Sequence, residues 1–216
     1  MPNLTNNRIN VQLTEAETAC KRIAYMTPIL QNISRLVTLT PEEEQLFLSK
    51  TETRHYKAKT ILQHAGQVCK EGYFVNSGLL RSFNINDNIV EHVMSFACEG
   101  WWISDMYSLL SQKPGNLFIE VLEDAEVVVL SKVNQEQLYL EIPKLERFFR
   151  ILIENSLVAN QERLMDNLSL SAEERFDKFC KKNPGLIQKV PQKQIASFIG
   201  VTPEFFSKMK ARMLKK

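Results

Sequence analysis

Glu204 and Lys208 stand four residues apart within 191–216, PQKQIASFIGVTPEFFSKMKARMLKK, so on a helix they share one face. A carboxylate only accepts hydrogen bonds, and an ammonium only donates them. Against base edges in a major groove, the first suits a cytosine amino group and the second suits guanine O6 and N7. Thr202, Pro203 and Ser207 fall at the start of the same helix and complete the expected base-reading set. Lys193, Lys210 and Arg212 suit phosphate oxygens, each adding its share of salt dependence.

Such chemistry requires two helices that hold these residues in place. Ile195, Ala196 and Ile199 supply the apolar side of a first short helix. Gly200 ends it with a residue that accepts positive φ without steric cost. Val201 packs under the corner, Thr202 is an N-cap, and Pro203 suits the first helical position. Phe206 and Met209 then face back toward Ile195 and Ile199, and Ala196 is small where the helices cross. This is helix-turn-helix spacing, with the second helix the one that enters a groove. An αα-corner serving some other core shares the spacing, and charge separates the two readings. Residues 171–216 carry eleven basic and four acidic side chains, a net of +7, whereas the first 170 residues sum to −5. A positive field concentrated on one small segment is the footprint of phosphate contact.

The rest of the chain reads as a partner to that segment. At 216 residues with 44% hydrophobic side chains, one or two domains with a true core are expected. No apolar run reaches eighteen residues and no signal sequence opens the chain, so a cytoplasmic protein with no membrane partner is expected. Cys20, Cys69, Cys98 and Cys180 are scattered, which suits reduced thiols better than a disulfide framework or an iron–sulfur cluster. His55, His64 and His92 form no tight ligand pattern. No metal and no cofactor is therefore expected, and a cupin-like metal enzyme is a poor alternative. The other alternative is an interaction module that does not bind DNA.

Capping boxes at Thr14–Glu17, Thr40–Glu43 and Ser171–Glu174 mark helix starts. Residues 1–25 are rich in Asn and Thr and read as a loosely attached arm, with Met26 as an alternative start. From 54 to 132 the pattern is short β-segments. Tyr73–Val75 runs into a turn at Asn76-Ser77-Gly78, with a strand from Leu79 to Ile85 beyond it. Asn86-Asp87-Asn88 signals a hairpin, and strands follow at 89–98, 117–121 and 126–130. Helix resumes at Pro143 for some 25 residues, with apolar side chains on more than one face. One face suits the β-domain and another suits a second copy of the helix.

This order, together with Tyr73–Arg81, Phe96–Asp105 and the helix-turn-helix, resembles the cyclic-AMP receptor and fumarate-nitrate regulator (Crp/Fnr) family over residues 26–216. Two runs, Glu99–Asp105 and Pro143–Phe149, look closest to the branch common in Bacteroidetes-type bacteria. The resemblance implies an α+β fold: a cyclic-nucleotide-binding-like β-roll (a double-stranded β-helix) at 26–142, a dimerisation helix at 143–170 and a helix-turn-helix domain at 171–216. It further implies a homodimeric transcription factor on palindromic double-stranded DNA, with RNA polymerase as a partner. The wing is expected to be reduced, with 186–190 supplying one short strand.

Departures from the family pattern bear on the ligand. Members that bind cyclic AMP hold its phosphate with a Gly-Glu pair and a nearby Arg. Here those places read Ser104-Asp105 and Lys113–Phe118, and Asp105 opposes a phosphate. Cyclic AMP is therefore not the expected effector. A pocket for some other small molecule is expected among Arg81, Trp101, Trp102, Ser104, Asp105 and Tyr107, with Phe74 beside them. The tryptophans suit stacking on a flat ligand, or filling the roll or hinge. Arg81 suits an anion, or a pair with Glu99 or Asp105. In better-known relatives an Arg precedes the equivalent of Glu204, so Pro203 implies a different half-site.

Overall fold

The computed structural model describes residues 27–213. The arm at 1–25, Met26, the Thr14–Glu17 capping box and Lys215–Lys216 lie outside the described residues. Two short helices come first, α1 (Pro28–Ser34) and α2 (Pro41–Ser49). The Thr40 box opens α2 as expected: its hydroxyl accepts from Glu43 N–H, and the Glu43 carboxylate accepts from Thr40 N–H at 2.7 Å.

Strands β1 (Glu52–Tyr56), β2 (Ile61–Gln63), β3 (Glu71–Ile85), β4 (Glu91–Cys98), β5 (Trp102–Ile103) and β6 (Phe118–Ser131) form one antiparallel sheet. Its path runs β1-β6-β3-β4, with β2 on β6 and β5 on β3; helix α3 (Met106–Ser111) follows β5. Beyond β6 come α4 (Lys132–Glu141), α5 (Lys144–Ser169), α6 (Ala172–Lys182), α7 (Leu186–Lys189), α8 (Gln192–Phe198) and α9 (Pro203–Met213).

Asn76-Ser77-Gly78 is not a turn. β3 passes through it as one 15-residue strand, and pairing with β6 slips there. Gly78 takes φ +94°, where an added Cβ would sit 2.6 Å from the Asp124 carbonyl oxygen. The irregularity changes side-chain parity. Val75 points into the roll with Tyr73, Val127 and Val129, yet Leu79 points outward and Leu80 takes the inner place. The 117–121 and 126–130 segments likewise belong to the single strand β6.

The sheet therefore has helices on its outer face at both ends. Phe74, Val128 and Leu130 pack against α1, α4 and the first turns of α5, where Leu145, Phe148 and Phe149 are buried. Leu79, Phe83, Val93 and Phe96 pack against the C-terminal helices. Helix α4 went unforeseen, because Ser131 ends the strand and caps the helix without any loop between them. Pro143 is the residue before α5 rather than its first.

The stretch 186–190 is a helical turn, not the expected wing strand. Val190 N–H bonds to Leu186 O at 2.9 Å, and both side chains are buried four apart, which is helical and not strand periodicity.

Candidate nucleic-acid interface

The C-terminal unit is built from the Ser171 capping box onward. The Ser171 hydroxyl accepts from Glu174 N–H, and the Glu174 carboxylate returns the bond at 2.8 Å. Phe176 meets Phe206 edge to face at 5.0 Å, and Ile195, Ala196, Ile199 and Met209 close the small core. Gly200 turns the chain at φ +76°, and Val201 N–H bonds to Ala196 O across the corner. Thr202 Oγ1 accepts from Phe205 N–H at 3.2 Å, fixing the start of α9. Arg175 braces this corner from outside, donating to Ile199 O at 2.9 Å and to Leu170 O at 2.7 Å.

With Phe206 and Met209 buried beneath, Thr202, Pro203, Glu204, Phe205, Ser207 and Lys208 stand on the exposed side of α9. The Ser207 hydroxyl donates to Pro203 O at 3.0 Å, leaving its lone pairs outward. Lys193 is exposed in the first turn of α8, and Lys210 is half-buried. Among the described residues no ion pair engages Lys193, Lys208 or Lys210, whereas Arg212 reaches Glu173 at 3.7 Å.

Arg81 stands apart from the other pocket residues. It is 4% exposed on the outer face of the sheet, with Nε 2.6 Å from Glu120 and Nη1 2.7 Å from Glu91. Its guanidinium lies 4.1 Å from the centre of the Phe83 ring. The pairs expected with Glu99 or Asp105 are not made, because Arg81 shares its face with Leu79 and Phe83, both turned away from the roll interior.

Trp101, Trp102, Ser104, Asp105 and Tyr107 do come together, along a groove of about 1050 Å³ between the roll and α5. Trp101 is half exposed there. Trp102 is a packing pillar: its ring sits 5.4 Å from both Phe74 and Phe149, and Nε1 bonds to Asn32. Asp105 is buried, and its two oxygens accept from Ser108 N–H at 3.1 Å and Leu117 N–H at 3.3 Å. A Cβ at Gly115 would lie 2.0 Å from that carboxylate, so the loop closes tightly on it. The buried Asp105 carboxylate is thus compensated by two backbone N–H donors.

Two positioning residues escaped the sequence reading. Arg163 on α5 stacks on Phe198 of α8 at 5.1 Å and donates to Met94 O of β4, and burial holds its pKa below the ordinary value. Ser197 on α8 bonds to the backbone of β4. Phe205 also escaped notice: it is exposed while Phe206 beside it is buried, and adjacency alone does not decide this, since the neighbours Phe148 and Phe149 are both buried.

Residues 53–141 match the cyclic nucleotide-binding domain family. No curated protein matches the chain. Among known structures, the chain is similar to CLP of Xanthomonas campestris, described as a c-di-GMP-responsive global regulator, at 14% identity and TM-score 0.69, covering 82% of this chain and 92% of that one. It is similar to FixK2 from Bradyrhizobium japonicum at 16% identity and TM-score 0.67, covering 76% and 85%. It is also similar to the catabolite activator protein of Thermus thermophilus at 23% identity and TM-score 0.51, covering 82% and 84%. The fold is thereby defined: an α+β chain with a β-domain that matches the cyclic nucleotide-binding family, a long helix and C-terminal helices arranged as in these structures. The structures it resembles here are regulators rather than enzymes. Among the described residues no helix is long and apolar enough to cross a membrane, and no group of His, Cys, Asp and Glu is arranged to hold a metal.

Proposed function

We propose that this chain is a dimeric, DNA-binding transcriptional regulator whose β-roll does not take cyclic AMP. The observation that carries the reading is α9: a helix seated by Phe206 and Met209 on a core shared with α6, α8 and the outer face of the sheet, with Glu204, Ser207 and Lys208 outward and unburied. Lys193 on α8, with Lys210 and Arg212 toward the end of α9, are the phosphate contacts. The family resemblance extends the reading to RNA polymerase as a partner and to the Bacteroidetes-type branch, on the runs 99–105 and 143–149.

The dimer is supported by α5. Beyond its buried first turns, Leu157, Leu164 and Leu168 are 57%, 60% and 76% exposed, along with Val158 and Met165. Leu157 and Leu164 are seven apart, and Val158 and Met165 repeat that spacing, so they form the seam of a paired helix. Residues 26–142, 143–170 and 171–216 are then sensor, dimerisation helix and reader. The effector of the groove at Trp101 and Tyr107 is a molecule other than cyclic AMP, because the stretch Lys113–Phe118 lacks the Arg that would pair with its phosphate.

Titration of duplex DNA at several salt concentrations tests this. Three phosphate contacts per protomer give six in the dimer, so binding weakens about a thousandfold between 50 and 200 mM salt, with a preference for palindromes. Absence of binding at low salt would leave the interaction-module reading in its place. Calorimetry with cyclic AMP gives no heat of binding; micromolar affinity would overturn this account of the groove.

A further inference from the structure

The geometry points to Phe205 as a base-reading residue that contacts the 5-methyl group of a thymine, which makes the half-site thymine-dependent at one position. The inference rests on the DNA-binding reading above and goes beyond it by naming the base feature recognised. Among residues 171–213, Phe205 is the only large apolar side chain exposed to solvent, at 46%. Its neighbour Phe206 fills the core against Phe176, while Phe205 joins none of the hydrophobic clusters. The Thr202 hydroxyl holds its backbone in the first turn of α9, where groove-entering side chains sit. Lys208 follows three residues later, so the two share a flank of the helix, and Glu204 precedes it directly.

The major groove offers such a ring one apolar partner. Thymine presents a 5-methyl group there, whereas cytosine, adenine and guanine present only polar edges and ring C–H. Removing the ring and the methyl from water together favours thymine over cytosine at the position Phe205 faces. Polar neighbours on both sides would supply the hydrogen bonds that fix the register.

The test replaces thymine by deoxyuridine, which deletes the methyl and leaves base pairing intact. The preferred half-site is first selected from randomised duplexes with the full chain. Each thymine is then replaced singly and in symmetric pairs, and affinity is compared for wild type, Phe205→Ser, Phe205→Leu and Lys208→Ala. For wild type, one position loses about fourfold per half-site, the equivalent of exposing one methyl group. Phe205→Ser binds thymine and uracil duplexes equally, whereas Phe205→Leu and Lys208→Ala keep the discrimination. Replacing the sensitive thymine by 5-methylcytosine, with its partner changed to guanine, restores more affinity than cytosine does. A flat uracil series in wild type, or an undiminished penalty in Phe205→Ser, overturns the assignment while leaving the regulator reading intact. Failure of wild type to bind any duplex removes that reading, and this inference with it.

Discussion

Ser197 of α8 and Val93 of β4 are joined through one hydroxyl. Ser197 Oγ accepts from Val93 N–H at 2.9 Å and donates to Glu91 O at 2.8 Å, so it engages the outer edge of β4 as a neighbouring strand would. The contact seats α8 on the β-sheet. Phe96 of β4 adds ring contacts with Phe179 at 6.3 Å and Phe198 at 5.4 Å. The same strand lines the groove through Met94, Ser95 and Phe96. The β-domain and the C-terminal helices are thus distinct in sequence but share one hydrophobic cluster.

Replacing Ser197 by Ala strands the Val93 amide and removes the bridge. The expected cost is about 1–2 kcal/mol of stability, read as a lower denaturant midpoint at unchanged slope. Hydrogen exchange at the Val93 amide speeds up in the variant while amides inside the roll keep their protection. Unchanged exchange at Val93 would show that the contact does not hold the two units together.

How much of this was legible beforehand depends on whether local spacing decided the outcome. The helix-turn-helix was readable because Gly200, Thr202 and Pro203 act within a few residues, as does the pair Phe206 and Met209. The Thr40 and Ser171 boxes were readable for the same reason. Arg81 was misread because its face depends on parity upstream. With an irregularity at Gly78, counting alternation from Tyr73 no longer predicts which side Arg81 takes, or that Glu91 and Glu120 await it. The contact between α8 and β4 joins residues over a hundred positions apart, beyond the reach of any local pattern.

Gly78 therefore invites a direct comparison with Gly66. Both take positive φ, +94° and +84°, but an added Cβ at Gly66 meets nothing within 4 Å. At Gly78 it meets the Asp124 carbonyl oxygen at 2.6 Å and Ala125 at 2.7 Å. Gly66→Ala is expected to cost only the backbone strain, about 1 kcal/mol. Gly78→Ala adds the clash with β6 and should cost about 3 kcal/mol or more. Thermal unfolding of both variants checks the order, and equal midpoints would refute the role given to the bulge.

Acid should loosen the join between α2 and α5. The Glu43 carboxylate takes Lys144 Nζ at 2.7 Å and Thr40 N–H at 2.7 Å. These bonds, the lysine first, hold its pKa below the ordinary glutamate value. A carboxylate whose pKa is lower folded than unfolded stabilises above its unfolded value, and that contribution disappears as pH falls through the folded value. Stability should therefore decline below about pH 4.5, and Glu43→Gln should flatten that decline while lowering stability at neutral pH. An acid profile unchanged by Glu43→Gln would remove Glu43 from the account.

On α5, the exposed leucines give an assay for the proposed dimer. Leu157→Glu with Leu164→Glu puts charges in the proposed seam without touching the buried Leu145, Phe148 and Phe149. The double variant should keep its secondary structure and sediment as a monomer. Its affinity for a palindrome should fall toward that for a single half-site. A variant that stays dimeric would place the subunit contact elsewhere.

Lys208 and Lys210 separate sequence reading from attraction. Lys208 is exposed one turn beyond Glu204, where the proposal has its ammonium meet purine acceptors, while Lys210 is half-buried. A base contact distinguishes sequences and a phosphate contact does not. Lys208→Ala should thus lose about 1–3 kcal/mol on the preferred site and little on unrelated duplexes, broadening the selected sequences. Lys210→Ala should weaken every duplex by a similar factor and reduce the salt slope by about one per protomer. Affinities on matched and mismatched sites across a salt series distinguish the two. Parallel losses from both variants on all sequences would take Lys208 out of the base-reading set and leave Glu204 and Ser207 to carry it.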